Sequence, residues 1–444
     1  MRPLTLVNIT GRKKKMRYPA YLEKKFNFPG FYRVKLNLPS MALSDPAKDL
    51  KIQLDPALDQ SPIKPGQTVA IGVGSRGINA IAELVAQICG RIKDKGAYPV
   101  IVPAMGSHGS ATPEGQKKTL AELGVTSDVC QAAIAPEMDA IKVGSVFDAV
   151  PVYFSKKAME ADHSICINRI KPHTKFKGDV ESGLYKMLVV GMGKHTGALT
   201  YHNFALKYGF HKLLKAMGDT IIEKTNLCLG IGVVEDAYDQ VMKIEVIPAA
   251  KISTREPDLL ALAKSHFPRL PYKNLDLLVV RQIGKEISGS GMDPNVTGRT
   301  CDLMEDDFSQ SLYAKRLVIL DLSANTAGNA IGLGNADIIT EKIFAGMDYQ
   351  ATIMNALTAI SLKKAAIPVR LPNEEKAIQA GFQTLGPVFP EKVRAVIIKD
   401  TMHTTDFLVS DALNRETEKL SCLKEMTPCR IAFSSSGDLI APGP

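Results

Sequence analysis

The sequence has no tryptophan, only 6% aromatic residues, and seven cysteines in 444 residues. Cys89, Cys130, Cys166, Cys228, Cys301, Cys422 and Cys429 form an odd, scattered set without a C-x-x-C pair. That pattern excludes a disulfide framework and a zinc knuckle, and no H-E-x-x-H is present. No apolar run approaches the roughly 18–20 residues that a membrane span needs, and the N-terminus lacks a signal-type apolar core. The expectation is a cytoplasmic, reduced protein with no membrane association. Helix-turn-helix, zinc-finger and aromatic RNA-binding signatures are also missing, so nucleic acid is not an expected partner. The run Arg12-Lys13-Lys14-Lys15 then reads as a solvated arm.

What is present is the balance of an ordinary globular protein, 45% hydrophobic and 23% charged, with a net charge of +9. A chain of this length exceeds what one core usually supports. Pro268-Arg269-Leu270-Pro271 is the best linker, which divides the chain into domains 1–270 and 271–444. Residues 1–65 are irregular apart from one alternating stretch, Tyr32 to Leu38. From Thr68 the pattern is strand, helix, strand, helix with short connections. Thr68–Val73 and Tyr98–Pro103 are apolar strands; Ile78–Lys95 is a helix with Ile81, Leu84, Val85 and Ile88 on one face. Thr112-Pro113-Glu114 opens another helix, with threonine as N-cap and proline at the first position. The fold class is α/β: an N-terminal doubly wound, mainly parallel sheet, then a smaller C-terminal α/β domain, with the active site in the crevice between them. Further strands are expected at Val152–Phe154, His163–Ile170, Leu227–Val234 and Val241–Ile247. In the second domain Leu275–Val280, Leu317–Leu320 and Val393–Ile398 read as strands, and Ile338–Ala345, Gln350–Lys363 and Glu374–Ala380 as helices.

Gly72-Val73-Gly74-Ser75-Arg76-Gly77 matches G-x-G-x-x-G between a strand and a helix. The next strand, however, ends Val102-Pro103-Ala104-Met105, without the carboxylate that a dinucleotide ribose requires. What the motif retains is Arg76 at a strand's C-terminal end, where open α/β sheets bind ligands. Gly106-Ser107-His108-Gly109 follows the next strand, and Pro172-His173 follows the strand ending at Ile170. Three strands thus carry Arg76, His108 and His173 to one sheet edge. A guanidinium and two imidazoles there suit a carboxylate substrate held between two acid/base groups.

The segment from Asn168 to Asn203 holds five lysines, three of the eight histidines and five glycines. On one continuous helix Lys186 and His202 would lie about 160° apart. They can share a face only if Gly191, Gly193 and Gly197 bend the chain. The loop Gly191-Met192-Gly193-Lys194-His195-Thr196-Gly197 has the backbone freedom and charge to cradle a phosphate, with Gly191, Gly193, Lys194 and Thr196 as candidate contacts. In the second domain Gly284-Lys285-Glu286-Ile287-Ser288-Gly289 follows a strand and caps the crevice, with Lys285 pointing in.

Together Gly106-Ser107-His108-Gly109, Pro172-His173, Lys186 and a histidine sixteen residues later, His202, resemble the nickel-dependent lactate racemase family. The likeness spans about residues 65–300. It implies a nickel-pincer nucleotide joined to Lys186, with His202 as nickel ligand. It further implies His108 and His173 as acid/bases, and Arg76 and Lys285 on the substrate carboxylate. The implied activity is racemisation or epimerisation of a small anionic 2-hydroxy acid by reversible hydride transfer, with cofactor-synthesis proteins as partners. The chain departs from the family's pattern in having Val73 where an aspartate stands, Gly109 where an arginine stands, and no tryptophan. Those departures point to a substrate other than lactate, a sugar acid among the candidates. Two alternatives remain open from the residues: a nicotinamide-dependent dehydrogenase, and a non-catalytic binder of the nickel nucleotide or an acidic ligand.

Overall fold

The computed structural model describes residues 17–75, 77–147, 149–301, 308 and 312–441. Arg76 and the basic run at 12–15 lie outside the described residues. In chain order the first strands are β1 (Phe31–Leu36), β2 (Thr68–Val73), β3 (Tyr98–Pro103) and β4 (Ala133–Ile134). Next come β5 (Ala140–Val146), β6 (Val150–Ser155), β7 (His163–Arg169), β8 (Leu227–Glu235) and β9 (Val241–Pro248). The first sheet runs β4-β3-β2-β7-β8-β9, parallel except for β9. β2 reads TVAIGV and is buried along all but its first residue, as a strand covered on both faces must be. The helix Ile81–Asp94 covers it with Ile81, Leu84, Val85, Ile88 and Ile92. Thr112 caps the helix Pro113–Glu122 by accepting the Gly115 N–H, as the T-P-E pattern predicts.

The second sheet is built from β10 (Asn274–Ile283), β11 (Tyr313–Leu322), β12 (Ile338–Thr340), β13 (Val369–Leu371) and β14 (Ala395–Ile398). β15 (Asp406–Ser410) and β16 (Leu423–Cys429) complete it. Its order is β13-β12-β11-β10-β14-β15-β1-β16. Among the described residues this second sheet has eight strands, one of them β1 from the chain's first segment, against six in the first.

Three local expectations are corrected. β1 belongs to the second sheet, where it lies antiparallel between β15 and β16, so a cut near 270 misplaces the chain's first segment. β6 pairs antiparallel with β5, as a hairpin beside the first sheet. Ile338–Ala345 splits into a strand and a helix, because Ile-Ile-Thr fits a short parallel strand whose last residue, Thr340, caps the helix Glu341–Gly346.

The topology fixes where a ligand can sit. In the first sheet the winding reverses between β2 and β7, and in the second between β10 and β14. At such a point the connections leave in opposite directions and open a crevice beyond the strands' carboxyl ends.

Candidate active site

Both reversal points open on one cleft of about 800 Å³. That volume is within the range of roughly 300–1,000 Å³ typical of small-molecule sites. Gly74 and Ser75 after β2, Met105, Ser107 and His108 after β3, Asn168 and Arg169 at the end of β7 and Ile170 to Thr174 beyond it line one wall. Glu286 to Gly289 and Asp293 after β10, with Thr401 and Met402 after β14, line the other.

His108 is held at the rim by a Ser75 Oγ–Nδ1 contact of 2.5 Å. Its loop turns at Gly106, where φ is +58° and an added Cβ would stand 3.0 Å from the Val190 carbonyl oxygen. Gln116, buried on the following helix, donates to the Gly106 carbonyl at 2.9 Å and to that of His108 at 3.3 Å.

His173 sits in a loop that leaves β7 and returns through the paired backbones of Lys171 and Ser182. The buried Glu181 carboxylate accepts the His173 N–H at 2.6 Å and the Gly178 N–H at 3.1 Å, and pairs with Lys264 at 2.6 Å. The second domain grips the same loop. Asn295 donates to the His173 carbonyl at 3.2 Å, Ser290 Oγ lies 3.0 Å from Thr174 Oγ1, and Lys175 Nζ reaches the Ala359 carbonyl and Ser361 Oγ, both at 2.9 Å. On the ring itself, Nδ1 accepts the Lys175 N–H at 3.0 Å and Nε2 lies 2.9 Å from Lys186 Nζ.

Lys186 and His202 do reach the same cleft. Lys186 ends a single helical turn, Leu184–Lys186, and residues Met187–Met192 continue as a wider π turn before the helix Lys194–Tyr208. The extra residue per turn changes the angular phase between the two side chains. The left-handed residue at the junction is Lys194, with φ of +57°, not one of the glycines. Gly193 has φ of −67° and is needed for closeness instead, since an added Cβ would lie 2.2 Å from the Val189 carbonyl oxygen.

Burial, then the charges of Lys186, His202, Lys364 and Lys175, pushes His173 well below the usual histidine range. Burial, then Lys175 and Lys186, pushes His202 down to about 4. Both rings are therefore neutral near pH 7, the form in which imidazole takes up a proton or binds a metal. His202 Nδ1 is buried without a hydrogen-bond partner. Such an atom is costly unless a ligand meets it.

Other candidates lie elsewhere. Lys194 is fully buried and donates to the Pro103 carbonyl at 2.8 Å, so it offers no charge to a phosphate. Gly193 and Thr196 are also off the cleft wall, and Thr196 faces outward; only Gly191 of that turn lines the cleft. Lys285 is turned from the wall onto Asn355 Oδ1 at 2.6 Å and the Gly289 carbonyl at 3.2 Å. The polar body of its loop, Glu286 to Gly289, is what caps the cleft. Arg76 lies outside the described residues. Sequence reasoning passed over Arg169 and Glu235, a mutually paired couple on the wall with the Glu235 side chain 4% exposed. Each ends a parallel strand, the same signal that singled out Arg76 and His108.

The lactate racemase N-terminal domain family matches residues 62–209, which include Ser75, His108, His173, Lys186 and His202. No curated protein matches the sequence. Among solved structures, a Thermotoga maritima protein shares 13% identity at a TM-score of 0.47, covering 72% of this chain and 82% of its own. The lactate racemase apoprotein of Thermoanaerobacterium thermosaccharolyticum shares 13% identity at a TM-score of 0.44, covering 83% of this chain and 92% of its own. Residues 62–209, then, are similar to the lactate racemase N-terminal domain.

Proposed function

We propose that the protein is a racemase or epimerase of a small 2-hydroxy acid that works with a nickel-pincer nucleotide. The observation that carries this reading is the convergence of Lys186, His202, His108 and His173 on one cleft across a π turn. The residues fit the group. Among the described residues no three His, Cys, Asp or Glu side chains converge as a metal site, so the chain offers a lone imidazole. A metal bound there would take its remaining donors from an organic ligand, as a pincer supplies them. The orphaned Nδ1 of His202 suits that single protein bond. Lys186 Nζ suits the covalent anchor.

When bound, the nucleotide supplies reversible uptake of hydride from the substrate's α-carbon. The chain's own residues handle the proton. His173 and His108, neighbours in one cleft but carried by different loops, are placed to take the hydroxyl proton and return it from either side of a planar keto acid. Ser75 holds the His108 ring in one orientation. Lys171 on the wall offers a cation for the substrate carboxylate. The cleft has room and polar lining for a substrate longer than lactate, and a sugar acid fits those features. The cofactor would come from synthesis proteins. No helix of the described residues is long and apolar enough to cross a membrane.

The test is intact mass and nickel content of the chain produced together with cofactor-synthesis enzymes, followed by exchange of the substrate's α-hydrogen. The expected result is a mass adduct absent from Lys186→Ala and nickel absent from His202→Ala. Unmodified, nickel-free protein under those conditions would refute the reading.

A further inference from the structure

The second domain's wall of the cleft carries an acceptor and a donor side by side. Asp293, which follows β10, is buried and caps the short helix Pro294–Thr297. Its Oδ1 accepts the Asn295 N–H and the Asn295 side-chain amide, both at 2.8 Å. Its Oδ2 accepts no hydrogen bond from the described residues, and Asp293 lines the cleft. Thr401, which follows β14, accepts the Asp293 N–H on Oγ1 at 3.0 Å and lines the cleft beside it. That bond leaves the Thr401 hydrogen to be donated. Ser288 repeats the pattern on the same wall, its Oγ accepting the Ser290 N–H at 3.3 Å. This corner adjoins the His173 loop, because the Asn295 amide that holds Asp293 also donates to the His173 carbonyl at 3.2 Å.

An ionised carboxylate only accepts, and the Thr401 hydrogen can only be given. The group that satisfies both must donate and accept at once, as a ligand hydroxyl does. A second ligand carboxylate would meet Asp293 as a like charge, and an ammonium would leave the Thr401 hydrogen unused. Held by backbone and amide bonds past the ends of two strands, the pair is set before a ligand arrives.

We propose that Asp293 and Thr401 form a subsite for a hydroxyl beyond the reacting carbon, so that the substrate is a polyhydroxylated monocarboxylic acid. The inference rests on the proposed function and narrows its substrate class. With the carboxylate at Lys171 and the α-hydroxyl at His108 and His173, the rest of the carbon chain reaches the second domain's wall. There the distal hydroxyl donates to Asp293 Oδ2 and accepts from Thr401, while Ser288 is free to serve another. An acid without those hydroxyls strips water from both groups and gives no bond in return.

The test compares two four-carbon acids that differ only in hydroxyls, 2-hydroxybutanoate and 2,3,4-trihydroxybutanoate, the latter in its erythro and threo forms. Binding to the full-length chain is read by calorimetry, and α-hydrogen exchange in the cofactor-loaded chain by proton NMR in heavy water. The better trihydroxy form should bind at least about tenfold more tightly, the worth of one hydrogen bond to a charged group. This wild-type comparison needs no variant to fold. Asp293→Asn should remove most of the preference, and Thr401→Ser should keep it. Equal affinity for the two acids, or a preference unchanged in Asp293→Asn, overturns the proposal. So does an equal loss of both acids in an Asp293→Asn chain of unchanged unfolding midpoint, because the pair would then hold the α-hydroxyl. Exchange at equal kcat/KM for both acids sinks this inference alone. Preferential binding of the trihydroxy acid with no α-hydrogen exchange in the loaded chain sinks the proposed function alone.

Discussion

Replacing Lys194 by methionine separates two accounts of the glycine-rich turn. As a phosphate contact the lysine would be exposed and the variant would lose cofactor. In the structure it is 0% exposed, and burial lowers its pKa from 10.5 to about 8. The folded chain therefore holds this proton less tightly than the unfolded chain. Stability is lowest below pH 8, rises as pH climbs from 8 to 10.5, and gains nothing more above that. A gap of about 2.5 pH units at 1.36 kcal/mol each is worth about 3 kcal/mol. Lys194→Met removes that cost at pH 7 and gives up one hydrogen bond to the Pro103 carbonyl, worth about 1.5–3 kcal/mol when the donor is charged. The two nearly cancel at pH 7, so the diagnostic quantity is the slope. Measured as variant minus wild-type Tm, the difference should favour the variant most at pH 7 and decline by pH 10. Nickel content and adduct mass should be unchanged. A Tm difference that is flat with pH, or loss of the adduct, would refute the buried assignment.

Other perturbations probe the rest of the site. Ser75→Ala frees the His108 ring, and kcat should fall about tenfold or more with the adduct intact, acid/base groups typically contributing about 10²–10⁴; unchanged turnover would remove Ser75 from the positioning of His108. Asn295→Ala and Ser290→Ala release the His173 loop from the second domain, so amide exchange at 173–178 should accelerate while the first sheet stays protected. Equal exchange in variant and wild type would mean that the loop is held by its own domain. Glu256 is pushed up to about 8 by burial, so the folded chain holds its proton more tightly than the unfolded chain. Wild-type stability should fall between the ordinary 4.5 and about pH 8, and Glu256→Gln should flatten that slope in urea unfolding. A slope identical in both proteins would assign the pH dependence elsewhere.

Periodicity and end signals were enough for the first domain's layout. β2, its covering helix and the Thr112 cap follow from residues within a few positions of one another, where local backbone chemistry dominates. The same local logic put His108 and His173 on the cleft wall, because a polar residue just past a buried strand has to emerge at the sheet's edge. β1 could not be assigned this way. Its alternating residues only say that a strand forms, and its partners, β15 and β16, are more than 370 residues away. Lys194 and Lys285 show the other side of that boundary. A lysine in a glycine-rich turn looks solvated until the carbonyl of Pro103, or the amide of Asn355, arrives from a distant element and takes its charge. The sequence by itself determined which strands form and which side chains stand at their ends, since those depend on short-range sterics and alternation. Only the tertiary structure decided that two reversals of winding face each other, that a π turn rotates Lys186 and His202 into one cleft, and which cations the folded interior consumes, because those outcomes depend on contacts between residues far apart in the chain.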